Sequence, residues 1–188
     1  MTDPNVPTPR PRSGRLKLVL IMLVFLAPII AAGLLTLSGW QPQGKGNGQP
    51  IVPQRSVADV RVDVDGKPWA WRDVEPRLTL VALPGPDCAS RCLQTLALMR
   101  NARIVLNRNA DRLRLVYLGT APTSAGAEGV MVDYKLGNDP ANAFGEFRPT
   151  EPDSVAAVLI ESNATALAYY PAGFDPSGLR KDLQKVIR

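Results

Sequence analysis

Hydrophobic and polar positions divide the chain into three regimes. Residues 18–37 form a run of 20 without a charged side chain; as a helix rising about 1.5 Å per residue, such a run covers roughly 30 Å, the thickness of a bilayer's hydrocarbon core. It exceeds the apolar core of about 7–15 residues found in a cleavable signal peptide, so it predicts one transmembrane helix over residues 16–39. Pro28 and Gly33 are tolerable inside a membrane helix, and Trp40 follows where an amphipathic ring suits the interface. Residues 1–15, with Pro4, Pro7, Pro9 and Pro11, read as a disordered tail. Residues 40–56, including QPQGKGNGQPIVPQR, show neither helical nor strand periodicity and read as a flexible linker.

From Val57 onward the periods are those of a folded unit. Val60, Val62 and Val64 alternate with Arg61, Asp63 and Asp65, and Asp65-Gly66 supplies a hairpin turn, because glycine accepts the positive φ it requires. The return run, 67–71, puts Trp69 and Trp71 on one face; paired aromatics at period two read as cover for a core edge ahead of a binding platform. Residues 78–83 are almost continuously apolar, as in a central strand buried on both faces, and Pro84 and Pro86 end the run. A helical pattern extends from an Asp87 N-cap to about Asn109. A strand over 112–118, a small-residue loop over 119–129 and a short strand at 130–132 follow. Asp139-Pro140 opens a short helix through Phe144, and strands over 155–160 and 165–170 form a hairpin around Ser162-Asn163. Asp175-Pro176 starts a last helix with Leu179, Leu183 and Val186 on one face. Hairpin, strand, helix, strand, short helix, hairpin and helix in that order predict a mixed α/β sandwich over residues 57–188.

Charge adds orientation. The formal net charge is +5, but Arg10, Arg12, Arg15 and Lys17 stand just ahead of the apolar run against one acid, Asp3. The positive-inside rule then keeps the N-terminal tail in the cytoplasm and the folded unit outside it. In a Gram-negative bacterium this is a single-pass inner-membrane protein with a periplasmic domain. The excess charge is topogenic, so no nucleic-acid partner is expected. The chain has no histidine, which excludes Ser-His and Cys-His nucleophile systems and histidine-based zinc sites. GKGNG neither follows a strand nor opens a helix and reads as linker, not as a phosphate loop.

The candidate chemistry lies in PGPDCASRC, which holds Cys88 and Cys92, the two cysteines of the chain. Strand, turn and helix N-terminus meet there. Spaced i, i+4 in a helix, their Cβ atoms would lie about 5–6 Å apart, whereas a disulfide takes about 3.5–4.5 Å. The first turn must deform to close the bond, which makes an exchangeable disulfide. At the first helical position Cys88 would meet unpaired N–H groups, the positive end of the helix dipole and Arg91, all favouring thiolate, with Asp87 opposing. Cys88 is the candidate attacking thiol or first ligand, Cys92 the resolving thiol or second ligand.

A hairpin carrying VDVDGKPWAW, the RDV spacer, an apolar strand ending in LPGPDC, a terminal β-hairpin and a closing helix together resemble the thioredoxin-like fold of the redoxins over residues 57–188. The three-residue gap in CASRC resembles the Sco family in particular, whose members are membrane-anchored assembly factors for the copper site of cytochrome c oxidase. The resemblance implies a thioredoxin-like sandwich with an N-terminal β-hairpin, preceded by one transmembrane helix. It implies cytochrome c oxidase subunits or other assembly factors as partners. It also implies a histidine ahead of the penultimate strand as third copper ligand; the alignment of DSVAAVLIES puts Asp153 there, a hard ligand that suits Cu(I) poorly. The proline that precedes this strand in the fold is Pro149 or Pro152.

Three readings of the pair follow. In the first, Cys88 and Cys92 exchange disulfides with a partner's copper-site cysteines, as a thiol-disulfide oxidoreductase without a cofactor. In the second, the reduced pair captures Cu(I) with the third ligand unknown: Met99 lies about two turns along the helix, roughly 10 Å away, and reads as core, and Met131 could reach only through the fold. In the third, the disulfide is structural and the domain is a scaffold that binds an assembly partner.

Overall fold

The structure, a computed structural model, describes residues 14–37 and 47–187 in two units, Met1–Gln43 and Gly44–Arg188. The first unit holds helix α1 (Gly14–Leu37), which contains Pro28. Its side chains are described at 14, 17–31, 33 and 34, and large apolar ones such as Leu18, Phe25 and Ile29 are exposed. Among the described residues no helix is long and apolar enough to cross a membrane. The expected tail over 1–15 lies outside the described residues apart from 14 and 15, which are already helical.

The second unit contains eight strands: β1 (Gln49–Ser56), β2 (Asp63–Val64), β3 (Lys67–Pro68), β4 (Leu78–Pro84), β5 (Leu113–Leu118), β6 (Tyr134–Asn138), β7 (Val155–Ile160) and β8 (Thr165–Tyr170). They form one mixed sheet in the order β1-β8-β7-β4-β5-β6-β2-β3. Helices α2 (Ser90–Ile104), α3 (Ala127–Met131) and α4 (Pro176–Val186) complete the unit.

The period of two along β4 decides the layers. Leu78, Leu80 and Ala82 join Leu96 and Met99 of α2 and Leu179 and Leu183 of α4 in one buried cluster. Val81 and Leu83 point the other way, into a second cluster with Trp71 and Phe144. Every residue of β4 and of its antiparallel neighbour β7 is buried, which is why both read as continuous apolar runs. The hairpin expected at Asp65-Gly66 is present as β2 and β3, with both turn residues at positive φ (52° and 73°), as such a tight turn demands. Trp71 is core: it stacks on Phe144 at 5.5 Å, and its indole N–H donates to the Val60 carbonyl at 2.6 Å. Trp69 meets it edge-on at 6.5 Å and lies under the Arg114 guanidinium.

Five expectations are corrected. The linker expected over 40–56 gives way at Gln49 to β1, which pairs with β8 at both ends around a bulge between Pro50 and Arg55. An edge strand tolerates prolines whose missing N–H faces outward, and those prolines erased the periodicity. The domain therefore begins before residue 57, fastened by the buried Asp182 carboxylate. That carboxylate accepts from the backbone N–H groups of Asn47 (2.6 Å) and Gly48 (3.1 Å), from the Asn47 amide and from the Tyr170 hydroxyl. Helix α2 stops at Ile104, short of Asn109, and a 3-10 turn over Asn107–Arg112 leads into β5. Residues 130–132 are not a strand: Ala127–Met131 is helical, and the strand that pairs with β5 is β6, where polar Lys135 and Asn138 had diluted the pattern. Residues 139–144 form turns held by the Asp139 carboxylate, which accepts from the N–H groups of Ala143 and Phe144, and only a 3-10 turn follows at Gly145–Phe147.

The fifth correction concerns α4. Asp175 caps it as expected, accepting from the Ser177 N–H, and Leu179 and Leu183 are fully buried. Val186 is 53% exposed; the helix ends there, and Ile187 turns into the core instead. Leu183→Ala should therefore cost about 2–5 kcal/mol and Val186→Ala less than about 0.5 kcal/mol. Urea unfolding of the two variants checks the difference.

Candidate functional site: a disulfide at a capped helix N-terminus

The site grows out of the register of β4 and β7. Pro84 is opposite Val155 in this antiparallel pair, so two residues further on each strand Pro86 meets Asp153, whose N–H donates to the Pro86 carbonyl at 2.8 Å. Gly85 N–H donates to the Ser154 carbonyl at 2.9 Å. A Cβ at Gly85 would collide with the Glu151 carbonyl and come within 2.7 Å of Ser154 Oγ, so glycine is required for this approach of two backbones. The loop ahead of α2 is thus stitched to the loop ahead of β7.

That stitching delivers the Asp153 carboxylate to the start of α2. It accepts from the backbone N–H groups of Ala89 (2.8 Å), Arg91 (3.0 Å) and Cys92 (2.9 Å). Arg91 Nε lies 3.6 Å away but is 74% exposed, so its pull is largely screened. The Cys92 amide first, against some desolvation, and then the amides of Arg91 and Ala89 and the Arg91 charge hold Asp153 below the ordinary carboxylate range. The N-cap expected at Asp87 is corrected: Asp87 sits at φ 53° ahead of the helix, the cap position is Ala89 without a side-chain acceptor, and the capping oxygens come from Asp153, 64 residues away.

Cys88 and Cys92 form a disulfide with Cα atoms 5.2 Å apart. Cys92 is fully buried in the first turn of α2, within the cluster that holds Leu96 and Met99. Cys88 precedes the helix and is half-buried, which corrects the expectation of two helical cysteines. The N–H groups expected to stabilise a Cys88 thiolate at this helix end are already bonded to Asp153.

Beside Cys88 opens a groove of about 1170 Å³, lined by Tyr117, Thr120, Pro122, Asp139, Arg148 and Pro149 among others. Its floor is tied down: Arg148 Nη1 donates to the carbonyls of Pro84 (3.2 Å) and Leu118 (3.0 Å), the ends of β4 and β5. The Tyr117 hydroxyl donates to the Thr120 carbonyl at 3.0 Å. Burial pushes this phenol up to about 12, with Arg148 partly opposing, so it stays neutral at physiological pH. Of the two prolines ahead of β7, Pro149 lines the groove, while the Pro152 carbonyl faces Arg91 Nη2 at 3.4 Å.

As a copper donor set the site supplies two soft atoms, the sulfurs, and they are bonded to each other. Met99 is buried within the core, Met131 packs at the margin of the same cluster, and both Asp153 oxygens accept backbone hydrogen bonds. Among the described residues no group of three or more His, Cys, Asp or Glu side chains is placed to hold a metal ion. The arrangement suits thiol exchange: one sulfur at a groove, the other behind it. Sequence reasoning identified the cysteines but missed the capping role of Asp153 and the strand-end tie of Arg148, because both act through pairing between distant strands.

Two measurements test this geometry. Gly85→Ala should destabilise the domain by about 1–3 kcal/mol through the backbone collision, seen as a lower urea midpoint. Since the Asp153 pKa is depressed in the folded state, its contribution is present above the unfolded carboxylate value and is lost as pH falls through the folded one. The stability advantage of the native chain over Asp153→Asn should accordingly shrink in thermal unfolding as pH falls through and below the ordinary carboxylate range.

Among solved structures, the chain resembles copper-bound ScoI of Arabidopsis thaliana at 14% identity, over 76% of this chain and 99% of that one, with a TM-score of 0.49. It resembles AhpC of Enterococcus faecalis at 12% identity, over 73% and 90% of the two chains, also with a TM-score of 0.49. A SCO1/SenC family lipoprotein of Bacillus anthracis matches at 13% identity over 78% of this chain and 100% of its own, with a TM-score of 0.46. Likenesses this distant do not discriminate among activities. No curated protein matches the sequence. Two family models do: a transmembrane-like N-terminal domain over residues 7–38, and a transmembrane-like, thioredoxin-like C-terminal domain over residues 78–188. The second takes in β4, the disulfide, the Asp153 loop, β7, β8 and α4, more than half of the chain, and the protein belongs to this transmembrane-like, thioredoxin-like family.

Proposed function

We propose that the protein is a membrane-anchored thiol-disulfide exchange factor of the Sco kind, which keeps the copper-site cysteines of a partner reduced during cytochrome c oxidase assembly. The observation that carries the reading is the asymmetry of the pair, with Cys88 half-buried at the mouth of a groove and Cys92 fully buried behind it. The thioredoxin-like family and the CxxxC spacing support it. The anchor is residues 16–39, with the tail before it cytoplasmic and the domain periplasmic. The N-terminal family match supports an anchor, and the basic flank of Arg10, Arg12, Arg15 and Lys17 is the ground for the orientation.

In the working direction, an upstream dithiol first reduces the Cys88–Cys92 bond. The Cys88 thiolate then attacks a partner disulfide, forms a mixed disulfide and releases one partner sulfur as thiolate. Cys92 loses its proton and attacks Cys88 Sγ; the protein disulfide re-forms and the second partner sulfur leaves. Two electrons pass from the pair to the partner, and protons settle on the released thiolates.

The donor set favours exchange over Cu(I) as cargo, because the position that aligns with a third ligand is a carboxylate committed to three backbone N–H groups. Anaerobic Cu(I) competition on the reduced protein separates the two: one-to-one binding that survives a strong chelator and vanishes in Cys88→Ser/Cys92→Ser would establish copper as cargo. Replacing both cysteines by serine should lower oxidase activity in cells; unchanged activity would leave only a scaffold role. Cys92→Ser should trap a stable mixed disulfide with a partner, whereas Cys88→Ser should not, as judged by non-reducing electrophoresis. For the topology, a reporter active only outside the cytoplasm, fused after residue 40, should be active.

A further inference from the structure

We infer that Asp153 is the positioning residue that sets the redox poise of the Cys88–Cys92 pair, holding it toward the disulfide by occupying the N-terminus of α2. A helix N-terminus ordinarily offers free N–H groups and partial positive charge, and a cysteine there gains thiolate character from both. Here the N–H groups of Ala89, Arg91 and Cys92 already bond one carboxylate. A thiolate formed at this end competes for the same donors and meets a fixed negative charge. The disulfide, which carries no charge, meets neither penalty. Removing the Asp153 charge should therefore favour the dithiol and raise the reduction potential.

The carboxylate is held in place by more than its own bonds to the helix. Asp153 adopts φ 52°, an uncommon left-handed conformation for a residue with a Cβ. Hydrogen bonds fix it on both sides: Asp153 N–H to the Pro86 carbonyl, Gly85 N–H to the Ser154 carbonyl, and the Ser154 hydroxyl to the Glu151 carbonyl at 2.6 Å. An acceptor built into the sheet register cannot swing aside when the pair is reduced. Arg91, which is mostly exposed, offsets its charge weakly.

The reaction read is reduction by glutathione. One glutathione thiolate attacks Cys88 Sγ, the sulfur–sulfur bond breaks and Cys92 leaves as thiolate. A second glutathione thiolate attacks the glutathione sulfur of the mixed disulfide, releasing the Cys88 thiolate and glutathione disulfide. Two electrons enter the protein, and the protons lost by glutathione settle on the cysteines or the buffer.

The full chain in detergent micelles is equilibrated in glutathione redox buffers at one fixed pH, and the dithiol fraction is read by alkylation and mass. Asp153→Asn keeps an oxygen for the helix and removes the charge; it should move the equilibrium about tenfold toward dithiol, which is about 30 mV for two electrons. Arg91→Glu, at an exposed position, should move it about threefold the other way and keeps the test open should the first variant fold poorly. A purely structural cap would lower the unfolding midpoint of both redox forms alike and leave the equilibrium constant unchanged. An unchanged constant in Asp153→Asn, or in Arg91→Glu if only that variant folds, overturns the inference. The inference rests on the exchange reading for its meaning in the cell. Failure of that reading would show separately, as oxidase activity indifferent to the cysteines.

Discussion

Two-sided burial of β4 is the constraint from which the rest of the domain follows. A strand that hides alternate side chains on opposite faces needs a layer on each. Helices α2 and α4 supply one, the segment around Trp71 and Phe144 the other. Because β4 lies at the centre of the sheet, its C-terminal end opens among neighbouring strand ends, the position where a loop can carry chemistry on a rigid support. The cysteines lie where the chain leaves that strand.

The second determinant is the register between β4 and β7. It is set by apolar side chains of the strands, yet it decides which polar side chain arrives at the helix start. Shifting a strand by one residue would send its alternate side chains to the opposite face. The same slip would take the carboxylate of Asp153 away from the amides it satisfies. Core packing and site electrostatics are thus parts of one alignment, and helix α2 begins without a good N-cap residue of its own because a strand neighbour provides the cap.

This division explains what was legible in the amino-acid order. Elements with a strong local period were readable: 78–83 as a buried strand, the Asp65-Gly66 hairpin, the paired strands around Ser162-Asn163 and the Asp175-capped helix. The pair Cys88 and Cys92 was readable from composition and spacing. Strand β1 was hidden by Pro50 and Pro53, and β6 by its polar residues, since both owe their state to a partner strand rather than to their own pattern. The cap on α2 was hidden for the same reason: Asp87 is the local choice by propensity, and Asp153, 64 positions beyond the cap position Ala89, takes the role.

The buried carboxylate of Asp182 also bears on where the domain can be cut. It is satisfied by donors from Asn47, Gly48 and Tyr170, two of those residues lying at the very start of the folded unit. A fragment beginning at residue 57 would lose β1 and leave this acid without most of its donors in a buried place, a costly condition for a charge. The start of the folded unit is therefore fixed by hydrogen bonding to the last helix, and a fragment that keeps this closure must include Asn47.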